Sequence, residues 1–370
     1  YKMDATTKQP EKVSISLASD NIYARTEIKN GAGYMRSASL SPDGERLVVT
    51  ARGEVFDLPA DKGVTKNLTR TPGAHEREAQ WSPDGRSIVY ISDATGETEL
   101  YLQEAAGGEP QQLTKNNDTY IRTFVWSPDA KSIVYVDRKN RLNLLDVASR
   151  KVKTLLQDPM GEPRSVSFSP DSKWLTYTRT TDNEYSLVYA YNLTEGKEYA
   201  VTDRWYDSSS PVFSTDGKYI VFTSARDFNP TYGSLEWNHV YNNMYGVYLA
   251  LLSKDTPSPF LEKDATVSVK EEKSDAEKKA ETASANTVQI DFDGLADRIV
   301  KLPVGPSYFG NLYSDGKKVW YWTRGGTKVY DLENREEKNV VDGGSMSVEP
   351  GSRKALISRA GSLYVTDIPS

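Results

Sequence analysis

Four arginines occupy one register of this chain. Arg36, Arg77, Arg122 and Arg164 each stand five residues before a serine that opens a Ser-Pro-Asp turn, at successive steps of 41, 45 and 42 residues. A guanidinium presents a planar fork of donors that suits carboxylates, so four at one structural position point to anion selection or the steering of peptide carboxylates. The competing reading pairs each arginine with a neighbour such as Glu76, Glu78 or Glu162 for local order. Covalent chemistry is poorly provided for. With no cysteine and only two histidines, His75 and His239, thiol chemistry, thiolate metal sites and a three-histidine centre are excluded. No G-x-S-x-G, H-E-x-x-H, Walker or complete G-x-G-x-x-G motif occurs. Both histidines read as loop residues bonded to backbone. No catalytic residue, metal or cofactor is therefore expected in this chain.

The elements that position the arginines repeat with them. An apolar residue followed by Ser-Pro-Asp-Gly or a near copy recurs as Leu40–Gly44, Trp81–Gly85, Trp126–Ala130, Phe168–Ser172 and Phe213–Gly217. Proline presets φ for a tight turn, Asp bonds its local backbone, and Gly tolerates positive φ. After each turn comes a β-rich run such as Ser87-Ile88-Val89-Tyr90-Ile91, without in/out alternation, which implies a strand buried on both faces. A further strand follows, then a polar turn and a strand ending near Leu68-Thr69, Leu113-Thr114 or Val201-Thr202. With the strand before the anchor, each repeat holds four. Self-similar four-stranded units at this period describe a β-propeller. Later anchors at Ser314-Asp315-Gly316 and Val348-Glu349-Pro350-Gly351 bring the count to seven. The expected fold is all-β, a seven-bladed propeller of four-stranded antiparallel blades, with each arginine opening an inner strand at the channel mouth.

Two insertions interrupt blade five. Arg226–Asn243 joins its second and third strands and carries Phe228, Tyr232, Trp237 and Tyr241. Such a loop leaves on the arginine face, where exposed aromatics beside arginines make a candidate interface; a loop packed on its own blade is the alternative. The stretch of about 257–286 alternates Lys and Glu with almost no apolar content and reads as a solvated, flexible linker on the opposite face. Residues 1–30 look like the tail of a preceding blade plus a linker, with strands at Tyr1–Asp4 and Lys12–Leu17, and residues 31–370 form the propeller. That arrangement is expected of a piece cut from a longer chain; closure of the last blade by the N-terminal strand is the other option. A net charge of −6 supplies no broad basic field for nucleic acid, and no apolar run is long enough to span a membrane.

Several stretches go beyond a generic propeller. Ala51–Phe56, Asn67–Arg77, Asp227–Ser234, Lys254–Phe260, Ile290–Gly294 and Asp297–Val300 resemble the tricorn protease family, specifically its second, seven-bladed propeller. The resemblance implies a non-catalytic channel or filter through which peptides reach an active site in later domains. There, beyond a PDZ-like module, a Ser, His, Ser and Glu set does the chemistry, and none of it lies here. It further implies peptide substrates and the peptidase domains of the parent chain as partners. A homohexameric parent and a cytoplasmic location are implied too, with a monomeric isolated domain and a periplasmic location as alternatives. Two rival readings are a TolB-like protein-binding scaffold and the propeller of a prolyl-oligopeptidase-type enzyme.

Overall fold

The computed structural model describes residues 1–20, 29–227, 230–262, 287–349 and 352–370. It divides into two units, residues 1–33 and 34–370. The first holds a hairpin of Lys2–Met3 with Pro10–Glu11, closed by a Lys2–Glu11 ion pair at 3.0 Å. Asp4 shapes its turn by accepting from the backbone N–H of Thr6 and Thr7, both at 2.9 Å. The second strand expected at Lys12–Leu17 falls instead at Pro10–Glu11, because the Asp4 turn closes the hairpin early; residues 12–17 are exposed coil.

The second unit is the propeller. Six antiparallel sheets have four strands and the seventh has three, Gly344–Ser347, Lys354–Arg359 and Ser362–Asp367. In each blade the strands follow chain order from the inside outward. The inner strands are Met35–Leu40, Glu76–Trp81, Ile121–Trp126, Arg164–Phe168, Ser208–Phe213, Gly310–Ser314 and Gly344–Ser347. Antiparallel order puts two sets of connections on one face, here called upper: those entering each inner strand and those joining second to third strands. The Ser-Pro-Asp turns lie on the lower face.

Serine is the least obvious member of the repeated turn, and the structure gives its purpose. Its hydroxyl donates to the Asp carboxylate two residues on, at 2.5–2.7 Å in five blades. The same oxygen accepts the N–H that starts the second strand, at 2.9–3.0 Å. The Asp carboxylate in turn accepts an N–H inside the turn at 3.1–3.2 Å. One motif thus satisfies backbone groups that would otherwise be unpaired at a buried strand end. Threonine does similar work at the outer strand: Thr69, Thr114 and Thr202 accept from the N–H of Val55, Leu100 and Val188 at 2.9–3.1 Å.

The core lies between blades rather than within them. Alternate residues of a second strand face opposite neighbours: Ile88 and Tyr90 pack toward blade 1, Val89 and Ile91 toward blade 3. Such strands therefore read as continuous apolar runs. The same logic closes the ring. Leu356, Leu363 and Val365 of blade 7 pack on Leu40, Leu47 and Val49 of blade 1. There a Cβ on Gly44 would run into the Lys354 side chain. The blade 7 sheet has three strands among the described residues, and apolar packing joins it to blade 1.

The last position of the turn is left-handed throughout, at φ +77° for Gly44 and +57° for Ala130. An L-residue there costs about 1–2 kcal/mol, against about 0.5–1 kcal/mol of extra chain entropy for Gly. Ala130→Gly is therefore expected to raise the melting temperature by about 1–2 °C. An unchanged or lower value would mean that the Ala130 methyl contributes packing that outweighs the strain.

Candidate functional site

The four arginines all lie at the upper ends of inner strands, but they are not equivalent. Each of these strands carries a β-bulge at or beside the arginine. In blades 1 and 3 the extra residue is Arg36 or Arg122 itself. In blades 2 and 4 it is the pair that follows, Glu78-Ala79 or Ser165-Val166, with Glu78 and Ser165 both at φ +52°. A bulge re-aims side chains, so one sequence register yields two geometries.

Their partners differ accordingly. Arg77 donates to the carbonyl of Ile121 in the next blade at 2.6 Å and stacks on Tyr120, 3.8 Å from the ring centre. Burial pushes its pKa below the usual guanidinium value, with Arg122 among the lesser causes. Arg122 pairs with Glu162 at 3.1 Å, and Arg164 donates to Thr180 Oγ1 at 3.2 Å. Arg36 is exposed and makes no hydrogen bond or ion pair with other described residues. Local pairing of the kind anticipated thus occurs at Arg122. Glu76 is buried and engaged by Thr71 at 2.7 Å and Ser92 at 2.9 Å, so it is closed to Arg77.

Beside this row the upper face opens into a cleft of about 760 Å³. Its wall includes Tyr185 from the blade 4 hairpin, Trp205 and Tyr206 from the connection into blade 5, Tyr241 from the blade 5 insertion, Tyr245 just before the third strand of that blade, and Tyr308 from the connection into blade 6. Sequence reasoning singled out Tyr241 and missed the others, which come from connections with no shared period. Asp207 ties the wall together, accepting from Ser186 N–H at 2.7 Å and Tyr245 O–H at 2.6 Å. Within the insertion, Thr231–Tyr232 pairs with His239–Val240 as a small hairpin. Tyr232, Trp237 and Tyr241 are exposed by more than half. Phe228 lies outside the described residues.

His239 sits between Tyr232 and Tyr241, with ring centres 4.8 and 6.1 Å away. His75 packs beside Gly53, and its backbone N–H donates to Asp93 at 2.8 Å. Neither imidazole is paired with a nucleophile. Among the described residues no group of three or more His, Asp or Glu is placed to hold a metal ion, and no helix is long and apolar enough to cross a membrane.

A seven-bladed ring of antiparallel sheets, with an arginine row and an aromatic cleft on one face, defines a β-propeller. Comparison with known proteins gives its kinship. A family described as the tricorn protease second beta propeller domain matches residues 35–368, and the chain belongs to that family. It is 26% identical over 315 residues to tricorn protease homolog 1 of Streptomyces coelicolor, covering 84% of this chain and 29% of the relative. With the tricorn protease homolog of Saccharolobus solfataricus it shares 21% identity over 383 residues, 100% of this chain and 33% of the relative. The crystal structure of the tricorn protease superposes with a TM-score of 0.78 at 13% identity, over 99% of this chain and 36% of that one. The chain thus spans about a third of the length of these relatives.

Proposed function

We propose that this propeller is the substrate-access domain of a tricorn-like serine peptidase, a non-catalytic ring that receives peptides on its upper face. The observation that carries the reading is the membership of residues 35–368 in the second-propeller family, together with an arginine row at the inner-strand ends of that face. Peptide cleavage belongs, on this reading, to other domains of a longer protein, and residues 1–30 are the tail of a preceding propeller with its linker. Hexameric assembly and a cytoplasmic location are part of the same proposal.

The test acts on summed charge. Replacing Arg36, Arg77, Arg122 and Arg164 by Gln in the full-length peptidase is expected to lower kcat/KM for acidic peptides by about tenfold and to leave basic peptides unaffected. The loss shrinks as salt shortens the Debye length to about 8 Å. Arg36 contributes most to such steering because it is exposed and pairs with no other described residue, and Arg122 least because Glu162 offsets it. If the quadruple variant keeps the wild-type ratio of acidic to basic peptide rates, the steering role is sunk.

A further inference from the structure

The aromatic cleft is chemically unlike the arginine row. Asp207, the one charged side chain among the described residues of its wall, already accepts from Ser186 and Tyr245. Guanidinium groups lie over two of its rings, Arg226 over Tyr206 at 5.2 Å and Arg324 over Tyr308 at 4.4 Å. The hydroxyls of Tyr185, Tyr206 and Tyr308 and the indole N–H of Trp205 donate to no acceptor among the described residues. The wall therefore offers flat apolar faces and a surplus of hydrogen-bond donors, beside fixed positive charge.

We propose that this cleft binds an extended, proline-containing peptide segment. A complementary ligand must present acceptors, carry flat apolar rings and bring few N–H donors, since a buried donor without a partner costs about 1–3 kcal/mol. A polyproline II segment meets all three conditions. It has no internal hydrogen bonds, so its carbonyls point outward; its pyrrolidine rings pack on aromatic faces; and each proline lacks an N–H. A lysine-rich segment is disfavoured by Arg226 and Arg324, which already occupy the neighbouring ring faces. The inference rests on the substrate-access reading for the source of the segment, whereas binding itself is a property of this chain.

The experiment titrates the 370-residue chain with a capped Ala-Pro-Pro repeat peptide, following tryptophan fluorescence and calorimetric heat, beside Gly-Ser and Ala-Lys repeats of equal length. The proline peptide is expected to bind about tenfold or more tightly than either control. Trp205→Ala and Tyr308→Ala are each expected to weaken it by about fivefold with an unchanged melting temperature, since these side chains are 80% and 44% exposed. Lys131→Gln, exposed in a turn of the lower face, leaves it unaltered. Equal affinity for the three peptides, preference for the lysine peptide, or undiminished binding by Trp205→Ala would each overturn the proposal. The two readings also fail separately. Proline-selective binding alongside unchanged rates in the quadruple arginine variant upholds the cleft and removes the steering role. Absence of proline-selective binding alongside a charge-dependent rate loss does the reverse.

Discussion

Raising the pH from about 9 to about 12 is expected to unfold the ring. Tyr90, Tyr135, Tyr177, Tyr248 and Tyr321 are each 5% exposed or less. Burial is the main cause that pushes every one of these phenols above its ordinary value, Tyr248 to about 12 and the others further. Tyr177 and Tyr321 also donate to Glu198 and Glu337, both at 2.5 Å, where a phenolate would face a carboxylate. An unfolded phenol ionises near pH ~10. Above that value the folded chain holds more protons than the unfolded one, so stability is complete below pH ~10 and falls as pH rises toward the folded values. Each group removes ~1.4 kcal/mol per pH unit, and five remove about 7 kcal/mol per unit. A total stability of about 5–15 kcal/mol is then exhausted within about one to two units. The measurement is far-ultraviolet circular dichroism beside tyrosinate absorbance. Exposed tyrosines should titrate first, and a second, steep rise should coincide with loss of the β signal. Tyr90→Phe should move that transition upward. A single smooth titration near pH ~10 with the β signal intact would show that the phenols ionise within the folded ring.

Those tyrosines also mark which parts of the fold were legible. Tyr90 and Tyr135 stand in second strands that the Ser-Pro-Asp turn announces at a fixed distance, so strand order follows from local chemistry repeated in five blades and the degenerate anchors extend the count. The turn is readable because its bonds join residues at most five apart. The arginine register was readable for the same reason, yet its geometry was not. Whether a bulge falls on the arginine or on the next two residues depends on pairing with the second strand. The cleft was the least legible feature. Tyr185, Trp205, Tyr206 and Tyr308 lie in connections more than a hundred residues apart at their extremes, and the stacking of blades 4, 5 and 6 brings them together. An exposed aromatic in each of several upper-face loops was the available signal. Within residues 12–17 an alternating run suggested a strand, but edge pairing was set by the nearer Asp4 turn.

The second large effect is expected where the rim is anchored. Arg179, near the upper end of the second strand of blade 4, donates through Nε to Asp158 and through Nη1 to Glu198, both at 2.6 Å. Asp158 is fully buried in the connection that enters blade 4, and it also accepts the N–H of Met160 at 2.9 Å. Arg179→Met keeps most of the side-chain volume but strands the Asp158 carboxylate without its cation. Breaking a buried pair from one side costs about 3–5 kcal/mol, because the remaining charge stays desolvated. Adding Asp158→Asn removes that charge while keeping an acceptor for Met160, so the double variant should recover about half of the loss. The connection it holds leads directly to Glu162 and Arg164, which places the network under the arginine row. Arg179→Met should therefore also raise hydrogen exchange in residues 158–164 ahead of the rest of blade 4. If unfolding midpoints of the single and double variants coincide, the cost lies in lost packing of the guanidinium rather than in an orphaned carboxylate. The rim would then owe its order to the strands alone.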